Sequence, residues 1–147
     1  MKLISSVEIN KNRQSVWNLL NDPSLFPQWQ KGYESTVQLS GSPGEEGARA
    51  QHVFNESGKK FTFTEEVLES QEPEKILVTL DSDVMTYRIE TTLEELGEQT
   101  RVTMTAQTTM KAFSFKILSP FLSKSFQKRQ DEDLRRFKEL AESEERA

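Results

Sequence analysis

The chain has 147 residues, 34% of them hydrophobic and 29% charged, with a formal net charge of −5; that length can bury a core without staples, and no apolar run approaches the roughly 20 residues of a membrane span. With no cysteine and one histidine, His52, disulfides, thiol nucleophiles, thiolate metal sites and multi-imidazole metal centres are excluded. The acidic balance lacks the basic surplus with which a nucleic-acid binder releases counterions, so the expectation is no cofactor, no metal, no nucleic acid and no stable membrane insertion.

Lys2 to Ile9 alternates and is rich in β-branched residues, which predicts a first strand. The N-terminal segment Met1 to Ser6 holds no apolar stretch of signal-peptide length and soon turns into this alternation, so the expected location is cytoplasmic. Asn10 or Asn12 can cap a short helix whose apolar side is Val16, Trp17, Leu19 and Leu20. Asn21-Asp22-Pro23 ends it, because a residue before proline avoids the α region. Pro23 can open a second short helix through Leu25, Phe26 and Trp29.

From Tyr33 to Thr109 the pattern has period two. Six strands are predicted, at about 33–40, 48–54, 61–70, 75–81, 86–95 and 100–109, separated by Gly-, Pro-, Asn- and Asp-bearing turns. Short connections make them antiparallel neighbours. From about Phe113 to Ser143, Phe115, Leu118, Leu122, Phe126, Leu134, Phe137 and Ala141 recur at helical steps, with Pro120 expected to kink the helix or mark its start. No repeat, linker or second domain is evident. The expected class is α+β: a seven-stranded antiparallel curved sheet around a long C-terminal helix, with two short helices after strand one.

Alternation also fixes register. It pairs Val78 with Ile89, Leu80 with Tyr87, Leu93 with Val102, Val67 with Val78, Glu65 with Leu80, Phe54 with Phe61, and His52 with Phe63. One face of the sheet is then apolar and the other is Thr-, Glu- and Arg-rich. A single helix of ~10 Å diameter does not fill the concave side of a twisted sheet. Space for a ligand of roughly 300–1,000 Å³ is therefore expected there, unless the phenylalanines fill it.

Three segments carry a family resemblance. Val16-Trp17 followed by Leu20-Asn21-Asp22 and Pro27-Gln28-Trp29 is similar to the opening of START-like (SRPBCC) proteins, the superfamily of polyketide cyclases/dehydrases and lipid-transport proteins. Val67 to Pro73 and Asp133 to Leu140 resemble its strand-to-turn segment and its final helix. The resemblance spans nearly the whole chain and implies the helix-grip fold. It says less of function, since the superfamily hosts transporters, receptors, cyclases and chaperone regulators.

His52 and Glu65 are the weak catalytic candidates. Register places both on the concave face, where an imidazole and a carboxyl group can exchange a proton. The expected ligand-binding set adds Phe54, Phe63, Leu80, Tyr87, Ile89, Met104 and Ala106 from the sheet. From the last helix it adds Leu122, Phe126 and Gln130. Gln130 interrupts an apolar stripe, so its amide needs a partner, and a structural one is favoured over a ligand. Trp17 and Trp29 read as core anchors, and the Gly41–Gly47 loop as a hairpin loop or a gate. The leading reading is non-catalytic binding or transport of a small hydrophobic molecule. The alternatives are a cyclase or dehydratase using His52 and Glu65, and a protein-interaction module. Sequence leaves ligand identity and oligomeric state open.

Overall fold

A computed structural model describes residues 1–111 and 113–143, with side chains in the last helix from Leu122 onward. Strand β1 (Lys2–Ile9) leads to helix α1 (Arg13–Leu20), a 3-10 turn (Pro23–Leu25) and helix α2 (Phe26–Trp29). Six strands follow: β2 (Tyr33–Ser40), β3 (Arg49–Glu56), β4 (Lys59–Gln71), β5 (Lys75–Asp81), β6 (Met85–Leu96) and β7 (Gln99–Met110). Helix α3 (Phe113–Ser143) completes the order. Asn12, not Asn10, caps α1, its side chain accepting from Ser15 N–H at 2.9 Å. Asp22 does the same for the turn that Pro23 opens. Pro120 lies within α3 and does not mark its start.

The sheet order is β1-β7-β6-β5-β4-β3-β2, antiparallel throughout. The registers Val78–Ile89, Leu80–Tyr87, Leu93–Val102, Glu65–Leu80 and His52–Phe63 are those read from alternation. A shift between Val67 and Glu69 lets β4 bend. It falls two residues beyond Glu65, which therefore keeps its inward-facing position.

The closed core gathers at one end of the concavity. Ile9, Val67, Ile76, Leu93 and Val102 from the sheet meet Val16, Trp17 and Leu20 of α1, Trp29 of α2, and Leu134, Phe137 and Ala141 of α3. Helix α3 also shields the free edge of β1, which would otherwise present unpaired backbone groups. Gln127 donates to Ile4 O at 2.9 Å and Lys138 to Glu8 O at 2.7 Å, while Glu142 accepts from Asn10 N–H at 2.9 Å. Towards the other end of the sheet Phe54, Phe61, Leu80, Tyr87 and Ile89 are only half-buried. No helix among the described residues is long and apolar enough to cross a membrane.

Candidate functional site

Antiparallel pairing of β3 with β4 brings His52 and Glu65 to the same face, and β2 lays Thr36 opposite His52. His52 Nε2 lies 3.3 Å from Glu65 Oε1. On its other side His52 Nδ1 is 2.6 Å from the Tyr33 hydroxyl and 3.4 Å from Thr36 Oγ1. A neutral imidazole with its proton on Nε2 turns that proton to Glu65 and accepts from Tyr33. His52 is 5% exposed and Tyr33 7%, whereas the Glu65 side chain retains 24%. Burial, with the Glu65 charge adding to it, raises the Tyr33 hydroxyl above its ordinary range and keeps it protonated.

Aromatic rings enclose this group. Phe26 stands 6.0 Å from the His52 ring and 5.4 Å from Tyr33. From Tyr33 the contacts continue edge-on to Phe54 and Phe63 and then, with tilted rings, to Tyr87, with centroids 5.0 to 5.7 Å apart. Such arrangements set the positive edge of one ring against the negative face of the next. In the other direction Phe26 meets Trp29, which packs on Phe137 at 5.1 Å. One line of rings thus joins α3 to the half-buried end of the sheet, with His52 at its middle.

Directly against Glu65 the enclosed space is about 30 Å³, bounded by Asn21, Phe26, Thr36, Gln38, Gly44, His52, Val67 and Ile76. That is the volume of one water molecule. It is smaller than the space expected from the shape of the sheet because Phe26 and the 41–47 loop close over this part. Ser70 Oγ donates to Gly44 O at 2.7 Å, Gly47 N–H donates to Val67 O at 2.8 Å, and Gly44 adopts φ +79° against the Asn21 side chain. The loop is therefore a tied-down roof.

The remaining expected positions divide in two. Phe54, Leu80, Tyr87, Ile89 and Met104 are half-buried on the concave face, with Phe63 and Ala106 buried among them. Leu122 and Phe126 are half-buried on α3. The Gln130 amide is engaged by the protein, donating to Leu3 O, Ser5 Oγ and Met104 O at 3.1 to 3.3 Å. It joins α3 to β1 and β7. Trp17 and Trp29 are core anchors. Sequence reasoning missed Tyr33 and Thr36, which complete the surroundings of His52. Among the described residues no three His, Asp or Glu side chains are grouped to hold a metal ion.

An open groove of about 480 Å³ lies elsewhere, between β1 and α3. It is edged by Lys2, Lys124, Lys128, Asp131 and Glu132, and its mixed charges are separate from the aromatic face.

Comparison with known proteins places this fold among relatives. The family model for polyketide cyclase/dehydrase and lipid transport proteins matches residues 2–142. A crystal structure of a Thermus thermophilus protein is similar with a TM-score of 0.81 and 20% identity, over 97% of this chain and 98% of that one. A conserved protein from Geobacillus kaustophilus gives 0.79 and 16%, over 97% and 96%. A START superfamily protein from Mycobacterium smegmatis gives 0.67 and 16%, over 88% and 94%. No curated protein matches.

Proposed function

The chain belongs to the polyketide cyclase/dehydrase and lipid transport family, and from that premise we propose that it binds or carries a small hydrophobic molecule, without chemistry, on the concave face of its sheet. The observation that carries this reading is an incompletely covered apolar strip, Phe54, Leu80, Tyr87 and Ile89, beside the enclosed Tyr33–His52–Glu65 group. Covering such a strip removes apolar area from water at about 25 cal/mol per Å². Met104, Ala106, Leu122 and Phe126 extend the lining, and Phe63 supports it from below. His52 has both ring nitrogens engaged, so its role is to hold the Glu65 carboxylate in place. Glu65, the more exposed partner, then meets the ligand.

Native mass spectrometry and organic extraction of the purified protein test the reading. A co-purifying hydrophobic molecule is expected, together with saturable binding of a fluorescent probe from a panel of fatty acids, fatty alcohols and aromatic ketones. An empty protein that binds no member of the panel rejects it.

The 3.3 Å approach of His52 to Glu65 favours one second reading, a cyclase or dehydratase in which the pair moves a proton. In heavy water such an enzyme would exchange the acidic protons of an alkyl β-diketone. Glu65→Gln would stop the exchange while the fold persisted. Equal exchange by wild type and variant removes this reading.

A further inference from the structure

Glu65, Leu80, Tyr87 and Thr108 occupy one continuous row across the sheet, each directly opposite the next. Their Cβ atoms share the concave face, since directly paired residues point the same way. At the far end of the row stand two hydroxyl groups. Thr108 is 4% exposed, and its Oγ1 is one of two buried side-chain polar atoms without a hydrogen-bond partner among the described residues. The other, Trp29 Nε1, belongs to a ring held by Phe26 and Phe137 in the closed core. Beside Thr108, the Tyr87 ring touches Phe63, and the described residues provide no hydrogen bond to its hydroxyl. Arg129 and Glu56, the charges that act on Tyr87, pair with each other. A threonine hydroxyl buried without a partner, with Tyr87 directly opposite it in register, leaves hydrogen-bonding capacity that native interiors ordinarily fill.

We propose that Tyr87 and Thr108 form a second polar subsite, so that the ligand is an elongated apolar molecule with a neutral oxygen function at each end. One end donates a hydrogen bond to Glu65. The other, a hydroxyl or carbonyl oxygen, lies against the two hydroxyls. Leu80 separates the ends, and two strand spacings set Glu65 and Tyr87 on the order of 10 Å apart. A carboxylate suits neither end: Glu65 repels it, and the cation at Tyr87 is already paired. This deepens the hydrophobic-ligand reading and rests on it.

The test uses medium-chain α,ω-alkanediols and the alkan-1-ols of the same length, measured by displacement of a fluorescent fatty alcohol from wild type, Tyr87→Phe, Thr108→Val and the double variant. Wild type is expected to prefer the diol by about tenfold, the increment of one hydrogen bond. Each single variant should weaken the diol several-fold more than the mono-alcohol, and the double variant should abolish the preference. Thermal melting of the ligand-free protein should show Thr108→Val at least as stable as wild type, because no protein partner is lost. Saturable binding with no diol preference, or a preference that survives the double variant, overturns the subsite alone. Failure of both ligand series to bind wild type overturns the hydrophobic-ligand reading with it. A marked drop in the melting temperature of Thr108→Val also overturns the subsite, since it would mean that the hydroxyl serves the fold.

Discussion

The Tyr33 hydroxyl lies 2.6 Å from His52 Nδ1, joining the edge strand β2 to the floor of the sheet at a point almost closed to solvent. The opposite nitrogen of the same ring faces Glu65 across β4. His52 thus ties three neighbouring strands with one side chain, and its imidazole is the group that faces the Glu65 carboxylate.

Replacing His52 tests that tie. His52→Ala leaves the Tyr33 hydroxyl with its acceptor gone and Glu65 with no facing imidazole, besides opening space under Phe26. Unsatisfied buried polar groups cost about 1–3 kcal/mol each, and cavities add to that. A loss of ~2–4 kcal/mol in urea denaturation is expected. A loss below about 1 kcal/mol would mean that the contact contributes little to the fold.

Tyr33 carries a pH signature. Its hydroxyl is raised above 10.0, chiefly by burial and secondly by the Glu65 charge. Above pH 10 the unfolded chain releases the Tyr33 proton while the folded chain retains it, so the unfolded state gains and stability falls as pH rises. Tyr87 is shifted in the same direction, mainly by burial, but it is present in both proteins of the comparison. The stability advantage of wild type over Tyr33→Phe should therefore shrink as pH increases beyond 10. Parallel stability curves for the two proteins across that range would refute the assignment.

Strand registers were legible because a period of two permits only one alignment that buries the apolar residues of both partners. Val78 with Ile89 and Leu93 with Val102 leave no other choice. Tyr33 escaped notice because β2 follows no such pattern: it is exposed over most of its length, and register shifts flank Glu34 and Leu39. Nothing in its sequence indicates which residue faces His52. Thr108 was accessible in principle, two positions beyond Ala106 on the same alternation, but a threonine in a strand draws no attention until its partners are known. The volume at Glu65 was not legible either. It depends on Phe26 and the 41–47 loop, whose positions follow from tertiary packing and not from periodicity.

Asp133 anchors the connection between α2 and β2. It accepts from Lys31 N–H at 3.1 Å and pairs with Arg136, whose Nε donates to Trp29 O at 3.2 Å. Burial outweighs these partners and holds its carboxyl above the ordinary value. Asp133→Ala should cost ~1–3 kcal/mol at neutral pH through the orphaned Lys31 amide and Arg136. Asp133→Asn keeps an acceptor and should cost less. Because the folded state holds the Asp133 proton more tightly than the unfolded one, wild type should gain on Asp133→Asn as pH falls from neutral toward 4. Chemical denaturation at several pH values measures this, and a wild-type advantage that shrinks over that range contradicts it.

Phe137 provides a test of whether the closed core and the aromatic line are one unit. Its side chain is 0% exposed, and its ring stands 5.1 Å from Trp29, which is itself in contact with Phe26 above His52. Phe137→Ala removes the ring that fixes Trp29 against α3, at an expected ~3–5 kcal/mol. Phe137→Leu restores most of the volume without the edge-on contact and should cost less. If the rings transmit position, the His52 side-chain NMR resonances will move in the leucine variant although the site lies two rings away. Unchanged His52 resonances in a folded Phe137→Leu protein would show that the core end and the ligand end are packed independently.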